Sequence, residues 1–487
     1  MRVNSSIASD AVPNRFPDAG SRRALFQSSG LGLGWLAGRC LVDTPLAAAE
    51  GGSDLRARGG DFPAQIRSVV MLTQVGGPSQ MDLFDPKPTL ARLDGKTHSG
   101  DFETLQPGSE AKTLMASPFR FSRYGEAGMA FSNVLPHLAG VADELCMIRS
   151  MVGGHNNHPQ AQRFLHSGKT QALWPTVGSW ICYALGSENQ NMPGFVALRD
   201  PAGYPDGGAN HWTSGWLPAT FGGTEIRAEG DPVLNLNPSR SVSESVRRRK
   251  ATLLATLNRR RQRRYPDDSR LESRILNYEL AARMQLNATQ ILDLSRETPQ
   301  TLALYGLDRD LTSDFGRRCL MARRMVEAGV RFVEVMVTVG AGGSPFDSHS
   351  KLKSGLEAIC PRVDQPSAAL IRDLKQRGLL DSTLVVWTGE FGRLPISQNG
   401  NGRDHNRHAF TLLAAGGGFK PGYIHGATDE IGYRSVEHPV SVHDFHATIL
   451  HQMGVDHEAL SHPHNGREER LTDPEVTGAR VVRDLLL

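Results

Sequence analysis

Cysteine is scarce in this chain. Five occur in 487 residues, at 40, 146, 182, 319 and 360. None forms a CxxC pair, which excludes zinc-ribbon and thioredoxin-like frameworks. Buried free thiols are the plain reading of the last four. Long apolar runs are missing as well. None reaches the roughly 18 residues of a membrane-spanning helix, so no membrane span is expected. Charge of one sign is not in excess: 54 Lys plus Arg face 51 Asp plus Glu, for a formal net charge of +3. That balance argues against a dedicated nucleic-acid binder. Aromatic residues do not interleave with the basic runs, which removes a base-stacking platform.

What remains is the composition of a globular protein. Apolar residues make up 39% and charged residues 22%, enough for a sizeable core. Gly (51) and Pro (28) predict many turns. The length suits about three domains, or one large α/β domain with insertions.

The first 49 residues read as an address. Ser21-Arg22-Arg23-Ala24-Leu25-Phe26 resembles a twin-arginine export signal, followed by the modest apolar stretch 30–38 and the small residues Ala47-Ala48-Ala49. This reading expects the twin-arginine export machinery as a partner and a periplasmic or secreted location. Residues 50–64 read as a Gly-rich linker, and 65–487 as the main domain.

Four apolar runs predict strands buried on both faces: 68–75, 331–339, 383–388 and 410–415. Between them, 136–145, 314–328 and 366–380 carry apolar residues at helical spacing. Strands alternating with helices argue for an α/β fold around a mainly parallel sheet. In such folds the chemistry lies beyond the carboxyl ends of strands. A stretch at about 239–286 differs. It holds Arg247-Arg248-Arg249-Lys250 and five arginines between 259 and 264, and reads as a basic helical insertion. Such a run is either a solvated face or a contact for an anionic polymer or surface.

Ligand-type residues recur after the strands. They lie in 76–85, 155–158, 165–169, 346–349, 388–393, 402–408 and 443–446. Imidazole together with carboxylate suits zinc, manganese or iron. A divalent metal there could polarise a phosphoryl or sulfuryl oxygen. The residues favoured as metal ligands are Asp347, His349, Asp404 and His405 at one position, with Asp82, Glu390 and His158 near a second. His158 is also a candidate catalytic group. Lys169 and Arg393 are candidates for holding an anionic oxygen. His443, His446, His451 and His457 are expected to be structural.

Four motifs carry a family resemblance. Gly-Gly-Pro-Ser-Gln-Met-Asp-Leu-Phe-Asp-Pro-Lys (76–87), Thr-Gly-Glu-Phe-Gly-Arg (388–393), Gly-Arg-Asp-His (402–405) and Val-His-Asp-Phe-His-Ala-Thr-Ile-Leu (442–450) resemble an exported bacterial family. That family is known as domain of unknown function number fifteen hundred and one, and the resemblance runs from about residue 65 to the end. The family is grouped with the sulfatases and alkaline phosphatases. The resemblance therefore implies an α/β sandwich with a central mainly parallel sheet, a helical insertion and metal ligands at strand ends. Leu165-His166-Ser167-Gly168-Lys169 resembles the end of the sulfatase nucleophile segment, which puts His158 where a Cys or Ser would stand. Gly389-Glu390-Phe391 resembles the Asp-His-Gly turn, with Glu390 keeping an oxygen ligand and Phe391 losing a nitrogen one. Asp347 and His349 resemble a compressed Asp-then-His pair, and Asp82 stands in for an Asp after the first strand, where Gly76 and Gly77 occur.

The function expected from these readings is an exported metal-dependent hydrolase-like protein acting on phosphate or sulfate esters. The alternative is a non-catalytic sulfatase-like protein that binds an acidic glycan or envelope polymer.

Overall fold

A computed structural model of the chain describes residues 55–228, 243–264, 275–276, 279–280, 284, 291–338 and 343–487. The expected export signal and the first residues of the linker lie outside them, as do residues 239–242, 265–274, 277–278, 281–283 and 285–286 of the expected 239–286 insertion. Among the described residues a nine-stranded sheet forms the centre. Its strands, in chain order, are β1 (Ser68–Gln74), β2 (Leu145–Val152), β3 (Phe195–Leu198), β4 (Thr224–Ile226), β5 (Phe332–Val337), β6 (Thr383–Thr388), β7 (Phe410–Ala415), β8 (Tyr423–His425) and β9 (Val440–Ser441). The spatial order is β8-β2-β7-β6-β1-β5-β3-β4, with β9 also paired to β2. All ladders are parallel except the two that β7 makes with β2 and β6. The expected α/β architecture with a mainly parallel sheet is the one observed.

The apolar runs behave as their composition demands. Every residue of β1, β5, β6 and β7 is buried. Each Val or Leu so buried contributes about 1.5–3 kcal/mol of transfer free energy. The helices used below are α1 (His158–Ser167), α2 (Val177–Leu185), α3 (Glu244–Arg264), α4 (Asp310–Glu327), α5 (Leu352–Gln376) and α6 (Val442–Gln452). Helices α4 and α5 pack on each other, and α4 and α2 pack on β5. Cys146, Cys182, Cys319 and Cys360 are free and buried. Burial pushes the Cys146 and Cys182 thiols up to about 12. Among the described residues no helix is long and apolar enough to cross a membrane.

Two expected helices differ from the structure. Of 136–145, only Pro136–Ala139 is α-helical; a 3-10 turn follows, and Leu145 opens β2. The helix expected from residue 366 instead begins at Leu352 and carries Pro361 and Pro366 inside it. A proline lacks the N–H that an interior helical position donates, so the sequence reads as a break where the helix continues.

Register brings the functional segments together. Thr73 pairs with Thr388 on β6 and Gln74 with Val337 on β5. The loops that leave β1, β5 and β6 therefore start side by side. β7 runs the other way, and its first residue, Phe410, faces Met151 near the end of β2. The segment before β7 and the segment after β2 consequently reach the same edge of the sheet. That edge holds residues from 76, 155, 346, 390 and 403 onward, far apart in sequence.

Candidate metal centre

Gly76 and Gly77 make the close approach possible. Both have left-handed φ, +114° and +70°. A Cβ on Gly76 would stand 2.6 Å from the Asp347 backbone nitrogen, and one on Gly77 would stand 2.5 Å from the Phe391 ring. Only glycine meets both demands. This is the physical reason that no carboxylate ends β1: the Asp347 loop occupies the space.

Around this point His158, Asp347, His349 and His405 converge, each offering a ligand atom within 4.8 Å of the others. His158 is the first residue of α1. His446 and His443 of α6 hold the far end of that helix through the Leu165 and Gly168 carbonyls, each at 2.9 Å. A capping box between Ser441 and Asp444 starts α6. Both histidines thus sit in structural contacts.

The orientation of each imidazole is set from behind. His158 Nδ1 lies 2.6 Å from Glu390 Oε1. His405 Nδ1 lies 2.6 Å from the Asn156 carbonyl. His349 Nδ1 lies 2.6 Å from Gln398 Oε1, whose amide is fixed because its Nε2 donates to the Pro107 carbonyl at 2.9 Å. All three partners are acceptors, so all three Nδ1 atoms carry the proton. The three Nε2 atoms all face Asp347. The distances are 3.3 Å from His158 to Oδ2, 3.0 Å from His349 to Oδ1 and 3.2 Å from His405 to Oδ1. Without a metal ion, a proton on the His158 Nε2 faces the carboxylate; a metal cation would take that proton's place. The Nε2 atoms of His158 and His349 are buried without a hydrogen-bond partner. Three imidazole nitrogens and one carboxylate oxygen are a donor set for zinc, manganese or iron, and the residues present fit such an ion.

The electrostatics mark the centre as a place that favours positive charge. Burial raises the cost of charge on Asp347, but His158, His349, His405 and the Arg393 guanidinium hold its carboxyl far below the usual range. Burial opposes a charge on His158, yet the Asp347 and Glu390 carboxylates outweigh it and push its pKa up to about 9. His405 moves down, driven first by burial. The Phe391 ring, fully buried, packs 4.5 Å from the His405 ring and 4.9 Å from that of His158, forming an apolar wall. The opposite side is open, since the Asp347 side chain is 25% exposed and that of His349 19%.

The remaining expected site residues stand around the cluster. Glu390 binds behind His158 and also accepts from the Gly76 N–H at 3.0 Å and from Gln162 at 3.2 Å. Asp404 Oδ2 accepts from the backbone of Leu105 and Gln106 at 2.8 and 3.1 Å, and its Oδ1 accepts from the His405 N–H at 2.8 Å. Asp82 pairs with the buried Arg403 at 2.7 Å and accepts from Ser79. Arg393 is fully buried and donates to the Gly76, Gly77, Phe346 and Arg403 carbonyls and, at 2.8 Å, to Asp347 Oδ1. Its donors are occupied within the protein, and it fixes the carboxylate of the cluster. Lys169 pairs with Asp473 at 3.2 Å and lies over the Trp174 ring. Asp404, Asp82 and Lys169 thus do not join the four-residue cluster.

Sequence reasoning did not single out Asn156, Gln162 or Gln398 as individual site residues. Asn156 contributes a backbone carbonyl, which has no residue-type signature. Gln398 and Gln162 act through neutral amides, which carry no signal until their neighbours are known.

A family model described as Protein of unknown function (DUF1501) matches residues 66–486. No curated protein matches the chain. Among solved structures the chain is similar to Ps i-CgsB in complex with k-i-k-neocarrahexaose, at 11% identity, covering 85% of this chain and 77% of that one, with a TM-score of 0.38. It is similar to the phosphonate monoester hydrolase SpPMH from Silicibacter pomeroyi at 14% identity, 72% and 71% coverage and a TM-score of 0.35. It is also similar to the PsFucS1 sulfatase from Pseudoalteromonas sp. at 12% identity, 80% and 68% coverage and a TM-score of 0.33.

Proposed function

The chain belongs to the family described as Protein of unknown function (DUF1501), and we propose that it is an exported metal-dependent hydrolase of phosphate or sulfate esters. The observation that carries this reading is the convergence of three Nε2 atoms on one carboxylate, each imidazole being oriented by an acceptor behind it. Ligating histidines are held in this way from an outer layer. His158, His349, His405 and Asp347 would hold a divalent ion, for which zinc, manganese and iron fit the donors. Such an ion supplies Lewis acidity to an ester oxygen and offsets the charge that develops on the transferred group.

The protein's own groups do the rest. Glu390, Gln398 and Asn156 keep the three Nδ1 protons in place and the rings aimed. Arg393 holds Asp347 in register with them. Phe391 keeps water from one side, so the substrate approaches from the side of His349 and Asp347. In this reading Asp404 and Asp82 shape the surrounding loops, and Lys169 fixes the end of α1. Residues 65–487 form the catalytic domain, and residues 1–49 direct it through the twin-arginine machinery to the periplasm or beyond.

Turnover of aryl phosphate and aryl sulfate esters by metal-loaded protein tests the proposal. Cleavage that a chelator abolishes and the ion restores is expected. Cleavage indifferent to the chelator, or none with either ester class, contradicts it.

A further inference from the structure

Helix α3 stands apart from the metal centre in both composition and exposure. It spans 21 residues, a length of about 30 Å. Lys and Arg occupy positions 247–250, 259–261 and 263–264, nine in all, against one acid, Glu244. Among them Arg249, Lys250, Arg259, Arg260 and Arg264 are exposed. Between the two cationic ends lie Leu253, Leu254 and Leu257, exposed to 49%, 59% and 49%. At helical spacing Val246, Leu253 and Leu257 share one side, within an arc of about 40°, and Leu254 borders it. Lys250, Arg260 and Arg264 fall on the same side, toward the two ends of the leucine patch.

We propose that α3 lays this protein peripherally on an anionic phospholipid bilayer. The two halves of the pattern ask for different things from a partner. The cations need negative charge, which acidic headgroups and soluble polyanions both supply. The leucines need an apolar phase, which a soluble polyanion lacks and an acyl layer offers just below the headgroups. Long Lys and Arg stems reach up to the headgroup level while the leucines between them enter the acyl boundary. The helix is too polar to cross a bilayer and lies along its plane. This inference is independent of the hydrolase reading.

The test is sedimentation of the full chain with vesicles of phosphatidylcholine alone or of equal parts phosphatidylglycerol and phosphatidylcholine. Binding to the anionic vesicles only, reversed by molar salt, is expected. The combined variant Arg259→Gln, Arg260→Gln, Arg264→Gln should lower partition about a hundredfold, at roughly one kcal/mol per cation. The variant Leu253→Ser, Leu254→Ser, Leu257→Ser should lower it about tenfold or more. Unchanged melting checks that each variant is folded, and Leu254→Ser alone serves if the triple variant melts early. Absence of binding to anionic vesicles at low salt overturns the proposal. Full binding by the leucine variants also overturns it, because charge attraction alone would then account for the binding.

Discussion

Glu390 accepts the Nδ1 proton of His158 at 2.6 Å while the backbone of Gly76 donates to the same carboxylate at 3.0 Å. One buried acid thus ties the turn after β6, the turn after β1 and the first residue of α1. It stands behind the imidazole rather than among the groups that face the cluster. Glu390→Gln keeps the shape but weakens the hold on His158. Metal affinity is expected to fall about 10–100-fold, with little change in melting of the metal-free protein. Competitive titration against a fluorescent chelator measures it, and an unchanged affinity would show that Glu390 does not act through His158.

Asp347 receives three imidazoles and Arg393. In Asp347→Asn the charge that balances a cation is gone, while the three rings keep their own acceptors. The variant should lose stoichiometric metal and ester cleavage together. Retained metal with lost cleavage would move Asp347 from ligand to a different role.

Asp82 pairs with Arg403 where both side chains are fully buried. Removing one partner leaves an uncompensated buried charge, which costs about 3–5 kcal/mol. Asp82→Ala should therefore lower the denaturation midpoint sharply. Metal content of whatever folds should stay at the wild-type level. A variant of wild-type stability that has lost its metal would make Asp82 a ligand after all.

Asp364 on α5 accepts the N–H groups of His137 and Leu138 at 2.8 Å each. Burial nonetheless raises its pKa from 3.8 to about 7. A folded-state value above the unfolded one favours folding fully below about pH 4 and is lost as pH rises to 7. Between the two, the unfolded chain binds one proton fewer, and stability falls by about 1.4 kcal/mol per pH unit. Asp364→Asn has no such proton. Urea denaturation from pH 4.5 to 8 should show the wild type losing ground to the variant as pH rises; parallel curves would contradict the assignment.

The sheet was legible because both its faces are covered. The runs at 68–75, 331–339, 383–388 and 410–415 could stay apolar throughout, and all four became strands. Strand β2 was not legible. Arg149 and Ser150 interrupt it, and the structure shows why they are tolerated: Arg149 reaches Asp85 and the Gly426 carbonyl, and Ser150 the His438 carbonyl. The first half of α5 was hidden by its prolines.

The site was legible in its chemistry and only partly in its geometry. Asp347, His349 and His405 stand after strands or before one, where ligand-type residues were sought, and they meet. Asp404, next to His405, points its carboxylate at the 105–106 backbone instead. No spacing rule tells which of two neighbouring ligand-type residues has its acceptors taken up by backbone N–H groups. Arg393 shows the complementary difficulty. A guanidinium beside a Gly-rich turn reads as an anion clamp, yet here five protein acceptors surround it.

The most direct measurement is elemental analysis of the full chain after saturation with a divalent metal and removal of the excess, beside the variant His349→Ala, His405→Ala. The account predicts one tightly held ion per wild-type chain and none in the variant. A wild type that holds no ion, or a variant that keeps it, would contradict the claim that these imidazoles gather around a cation.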